Sequence, residues 1–229
     1  MKLVSRITTV ATAALIAGVT MMNPVMTNSL EAQAANYPAL QLPRASTRDY
    51  TAAIAAGSGT VALFQWREGA GPGMHLGLDV GLADYKGSDD ITVFVGGSFA
   101  KELLRSAGEQ PLDVLLSAGV GAGFGGGTNV FRIPVGVSVG HTFALDDGMS
   151  ITPFVHPRIS LDLCSDCGDG SKNDVSLAFD LGGNFQVNRQ FAIRAAASFT
   201  GSDIFRDDSF AVGFNWTPSG LSSSRQRAR

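Results

Sequence analysis

Between Met74 and Tyr85 the chain places Leu76, Leu78, Val80 and Leu82 at every second position. The positions between them hold His75, Gly77, Asp79, Gly81 and Ala83. A strict period of two is the signature of a β-strand with unlike faces. In a soluble sandwich the apolar face of such a strand is the core and the other meets water. In a closed membrane barrel the apolar face meets lipid and the polar face lines the interior.

The pattern repeats along the chain, with glycine, serine and aspartate turn signals between repeats. Residues 48–56, 60–66, 74–85, 91–100, 114–124, 130–143, 149–163, 175–187, 191–200 and 209–216 read as up to ten strands. The first two, joined at Gly57-Ser58-Gly59, alternate least clearly, and eight strands remain without them. Residues 101–109 have the composition of a short helix and are assigned to a turn. The 130–143 strand is the fullest case: Phe131, Ile133, Val135, Val137 and Val139 alternate with Arg132, Pro134, Gly136, Ser138 and Gly140.

Two features favour lipid over a soluble core. The polar faces carry mostly glycine, serine and alanine with isolated charges, which suits a narrow filled interior. The aromatics fall at both strand ends: Phe143, Phe185, Phe191 and Trp216 at one, Phe124, Phe131, Phe199 and Phe210 at the other. Aromatic girdles of this kind flank the apolar band of a membrane barrel. The span from Phe131 to Phe143, at about 3.3 Å per residue and a tilt near 40°, rises roughly 30 Å, close to the height of that band.

Lys2 and Arg6 precede an uncharged apolar run from Ile7 to Met22, and Ala32-Gln33-Ala34 forms a small-x-small cleavage pattern. This is the layout of a secretory signal peptide over residues 1–34, with the mature chain starting at Ala35. No other run approaches the roughly 18 apolar residues of a membrane helix. Residues 35–45, with Pro38 and Pro43 and no periodicity, read as a linker. Residues 46–217 read as one barrel domain and 218–229 as a basic tail. Without the signal peptide, 15 basic and 19 acidic residues remain. That mildly acidic balance argues against a nucleic-acid partner.

The signal peptide, the alternating strands and the last strand, "SFAVGFNW", resemble the small outer-membrane β-barrel family that includes the OmpA-like and OmpX-like domains. The resemblance covers residues 46–217 and rests on pattern. It implies an all-β, up-and-down antiparallel transmembrane barrel of eight to ten strands in the outer membrane of a Gram-negative bacterium. The implied partners are outer-membrane lipid, lipopolysaccharide and the barrel assembly machinery, and the implied state is a monomer. Both termini would be periplasmic, with 144–148 and 188–190 as periplasmic turns. Residues 86–90, 125–129, 163–174 and 201–208 would then be extracellular. The chain departs from the family in continuing beyond Trp216 to "SSSRQRAR".

The remaining motifs have simpler readings than catalysis. Cys164 and Cys167 are the only cysteines, and in an exported protein they are expected to form a disulfide. Gly136-Val-Ser138-Val-Gly140 matches a hydrolase nucleophile pattern, but that chemistry needs a strand-to-helix turn and the alternation runs straight through Ser138. His141 lies three residues from Ser138, on the opposite strand face. Asp84, Asp89, Asp90, Asp166, Asp169, Asp174, Asp203, Asp207 and Asp208 crowd the loops that the resemblance places outside, without calcium-loop spacing. No catalytic residue, metal or cofactor is expected.

Strand arithmetic makes one sharper expectation. Pairing about residue 147 sets Arg132 opposite Asp162, and pairing about residue 169 sets Arg158 opposite Asp180. With Asp79 and Arg194, also inward, these form a lumen charge network that holds register and fills the bore. The expected role is structural or surface-interactive. A narrow diffusion pore is the alternative, followed by a lipid-modifying enzyme or a soluble exported barrel.

Overall fold

The computed structural model describes residues 37–86, 90–107, 109–125, 128–165, 170–204 and 207–218. The signal peptide, Asp89, Asp166, Cys167, Asp169 and the tail beyond Pro218 lie outside the described residues.

Eleven strands follow in chain order: β1 (Arg48–Ala56), β2 (Gly59–Gly71), β3 (Met74–Tyr85), β4 (Ile91–Leu104), β5 (Asp113–Gly125), β6 (Thr128–Gly140), β7 (Phe143–Ala144), β8 (Ser150–Ser165), β9 (Lys172–Gln186), β10 (Phe191–Thr200) and β11 (Ser209–Trp216). Each pairs antiparallel with its neighbours, β1 pairs with β11, and β6 pairs with β8. The sheet therefore closes on itself. β6 and β7 share one register against β8, Gly140 facing Phe154 and Phe143 facing Ile151. They form a single stave, so the barrel has ten. Closure leaves no strand edge unpaired, which a spanning structure in lipid requires.

The turns explain the chain reversals. Gly73, between β2 and β3, has φ +65°, a left-handed conformation that glycine adopts without strain. At the β1–β2 turn a Cβ on Gly59 would lie 2.2 Å from the Asp84 carbonyl oxygen, so only glycine fits beneath the neighbouring strand. A one-turn 3₁₀ helix at Asp146–Gly148 links β7 to β8. The segment expected as a turn from residue 101 is strand as far as Leu104, because Lys101 and Glu102 pair with Leu116 and Leu115 of β5. An Ala107–Gln110 bridge and a hydrogen bond from the Ser106 N–H to Asp113 Oδ1 order the connection beyond it.

Burial alternates along every long strand, with the inverse polarity of a soluble protein. Leu177 is 70%, Val175 66% and Ile54 63% exposed, whereas Asp113, Asp162 and Asp180 are fully buried. The aromatic girdle at the end where β1 begins and β11 finishes also includes Tyr50, Phe64 and Trp66. Tyr50 stacks on Trp216 with centroids 5.4 Å apart and on Phe64 at 6.1 Å. At the opposite end Phe124 meets Phe131 edge-on at 6.3 Å.

Candidate functional site

The interior is the part of the molecule with chemistry in it. Residues 37–47, which take in the described part of the segment read from sequence as a linker (35–45), run inside the barrel. Leu40 is 2% exposed and packs among Val61, Leu63, Phe94 and Phe154 in an apolar collar. Barrel side chains hold the backbone of this plug. Arg158 Nη2 donates to the Tyr37 carbonyl at 3.4 Å, and the Ala39 N–H donates to Asp180 Oδ2 at 3.0 Å. Gln65 Nε2 donates to the Ala39 carbonyl at 3.3 Å and Ser138 Oγ to the Gln41 carbonyl at 2.7 Å. The Ala45 and Ser46 N–H groups donate to Glu102 Oε1 at 3.0 Å and His75 Nδ1 at 3.1 Å. These bonds match the requirement that buried backbone polar groups find partners.

The charges expected in the lumen are there, arranged in tiers. Arg132 and Asp162 face each other in register, with Arg132 Nε 2.8 Å from Asp162 Oδ1. Ser176 Oγ and Ser202 Oγ add hydrogen bonds to Asp162 Oδ2 at 2.9 and 3.1 Å. Arg158 Nη2 lies 2.9 Å from Asp180 Oδ1. The register there differs from expectation: His156 stands opposite Asp180 and Arg158 opposite Ala178. The strands pivot about residue 168 rather than 169, and the long Arg158 side chain spans the diagonal. Asp79 and Arg194 are not partners of each other. Arg67 pairs with Asp79, which also accepts from Gln65 and Tyr37. Arg194 lies 3.4 Å from Asp49 and donates to Asn184 Oδ1 at 3.0 Å.

Arg67 and Asp49 were missed because they lie on the first, weakly patterned pair of strands. Arg67 falls one residue beyond the strand end at Trp66 read from sequence. Its inward phase follows from Gln65, which stands opposite Asp79.

At the far end the described part of the β10–β11 loop turns inward. Ser202 and Ile204, in the β10–β11 loop, are 4% and 3% exposed, and Ile204 packs with Val130 and Cys164. Cys164 is disulfide-bonded. Besides a hollow of about 240 Å³ at the mouth, lined by Ser46, Glu68, Met74 and Glu102, a cavity of about 130 Å³ lies between the plug and the glycine-rich wall of β4 and β5. That is room for a few waters, well below the 300–1,000 Å³ typical of ligand pockets.

Ser117 Oγ sits 3.1 Å from His156 Nε2, and His156 Nδ1 is 3.4 Å from Asp180. The order is that of a nucleophile, base and acid, but His156 Nδ1 makes no hydrogen bond. Ser138, the serine of the hydrolase-like pattern, is fully buried and tied to the plug, while His141 packs edge-on against Phe143 at 4.6 Å. Among the described residues no group of three or more His, Cys, Asp or Glu could hold a metal ion.

Wall tightness gives a direct prediction. A Cβ on Gly136 would lie 2.5 Å from His156 Nε2 and 2.9 Å from Arg158 Cβ, while one on Gly183 meets nothing within 4 Å. Gly136→Ala should destabilise the barrel by roughly 1–3 kcal/mol in urea unfolding. Gly183→Ala should be neutral or slightly stabilising.

An apolar exterior around a polar, ion-paired interior, closed without edges, defines a membrane-type β-barrel. Its fold is an up-and-down barrel of ten antiparallel staves joined in chain order. No family model matches the chain, and no curated protein matches it. Among solved structures the chain is similar to the KdgM porin, at 10% identity, covering 74% of this chain and 99% of that one, with a TM-score of 0.40. It is similar to Ail, the attachment invasion locus protein of Yersinia pestis, at 12% identity over 74% of this chain and 93% of that one, TM-score 0.30. A de novo designed transmembrane β-barrel is similar at 11% identity over 76% and 98%, TM-score 0.33.

Proposed function

We propose that this chain is a sealed outer-membrane β-barrel with a structural or surface-interaction role, without catalysis and without a steady pore. The observation that carries this reading is the filled lumen. The plug enters from the end where β1 begins, the β10–β11 loop covers the other, and paired charges occupy the tiers between. A porin keeps a water-filled channel instead. Outer-membrane lipid and lipopolysaccharide are the surroundings, the barrel assembly machinery inserts it, and it acts as a monomer.

Fractionation of a Gram-negative envelope tests the location. The protein should enter the outer-membrane fraction and migrate faster on gels unheated than boiled. Recovery from the soluble periplasm without detergent would contradict the reading.

Cys164 and Cys167 are proposed to pair with each other across the β8–β9 loop. Protein taken from the envelope without reductant should resist maleimide at both positions and accept two labels after reduction. Two labels without reductant would exclude the bond.

A further inference from the structure

The grip on the plug is uneven in a way that says what the lumen recognises. Six backbone groups, on Tyr37, Ala39, Gln41, Ala45 and Ser46, are held by barrel side chains. Polar side-chain contacts from the plug to the barrel are fewer: Tyr37 to Asp79, Arg44 to Asp113 and Ser106, and Ser46 to Asp49. Pro38 and Pro43 have no N–H, so the segment stays extended without burying an unmatched donor there. The deepest apolar side chain is Leu40, flanked in the collar by the partly buried Tyr37 and Leu42, and it holds φ +50°, a region L-residues seldom adopt. A leucine kept there is being shaped by the site around it.

We propose that the lumen is a binding site for extended polypeptide, reading the backbone and the apolar side chain at position 40, and that residues 37–47 are its ligand in cis. The proposal rests on the sealed-lumen reading and goes beyond it, because it makes the plug an exchangeable occupant rather than a fixed part of the wall. Backbone recognition tolerates sequence, as in strand addition, where main-chain bonds give affinity and a side-chain pocket gives selectivity. The collar around Leu40 is that pocket. Arg158, Asp180, Gln65, Ser138, Glu102 and His75 are positioned by strands that pair without the plug. A peptide arriving from outside would meet the same donors and acceptors.

The test uses the full chain. Leu40→Asp puts a carboxylate in the apolar collar and should release the plug while leaving the strands paired. In planar bilayers this variant should conduct where the wild type is silent. A synthetic peptide of residues 37–47 should then suppress the current saturably, and the same peptide carrying Asp in place of Leu40 should not. As a second readout, Ala39→Cys should react with a membrane-impermeant maleimide roughly tenfold or more faster in the Leu40→Asp background than in wild type. The wild-type peptide should restore protection.

Failure to block or protect, with the variant conducting and the barrel still heat-modifiable, would overturn the peptide site alone. Equal blocking by both peptides would overturn the role of the collar. A Leu40→Asp barrel that stays silent and unlabelled would show that the collar does not hold the plug. A conducting wild type would overturn the sealed-lumen reading itself.

Discussion

Asp180→Asn should cost the barrel roughly 3–5 kcal/mol of stability, the penalty for stranding a buried charge. Asp180 is fully buried, accepts from Arg158 at 2.9 Å and the Ala39 N–H at 3.0 Å, and has His156 Nδ1 3.4 Å away. Asparagine keeps the shape but leaves the Arg158 guanidinium, with its side chain only 7% exposed, without a counter-charge. The double variant Arg158→Met/Asp180→Leu removes both charges and should recover much of the loss, giving a large coupling energy in a double-mutant cycle. Urea unfolding in lipid vesicles, followed by the fluorescence of Trp66 and Trp216, reads both. A loss within about 0.5 kcal/mol would mean that the pair is solvated and the lumen wet.

The second large effect belongs to the outside. Val135 points outward from the middle of β6 and is 42% exposed. In lipid, Val135→Arg should cost about 2–4 kcal/mol, whereas Asn129→Arg, at the loop end of the same strand, should cost about 1 kcal/mol or less. A soluble barrel would show no such depth dependence, since arginine at either place would meet water. Comparable unfolding free energies for the two variants would therefore count against a lipid-facing surface.

Much of the fold was legible because a barrel strand carries its own address. Alternation in β3 and β6 fixes which side chains face inward, and turn glycines fix where strands end. The pairing of Arg132 with Asp162 followed from simple counting, since the tight turn at Asp146–Gly148 leaves no slack. Across the β8–β9 connection the register differs from simple counting by two residues, so Arg158 meets Asp180 diagonally.

The plug was not legible. Residues 37–47 have no period, two prolines and only Tyr37, Leu40 and Leu42 as large apolar or aromatic side chains, which is also the composition of a linker. Their burial comes from contacts with residues as far along the chain as Asp180, and no local pattern encodes such contacts. Arg67 and Asp49 were hidden for a related reason. The short apolar face of β1, with Ala52, Ile54 and Ala56, gives little contrast against its inward Thr51, Ala53 and Ala55.

Single-channel recording from the purified wild-type protein in planar bilayers tests the central claim most directly. A barrel plugged by its own residues 37–47, with its charges paired across the lumen, should insert without steady conductance. Arg158→Ala should lower its stability before it changes permeability. A stable ohmic channel in the wild type, with ion selectivity altered by Arg158→Ala, would contradict the sealed lumen and make the protein a pore.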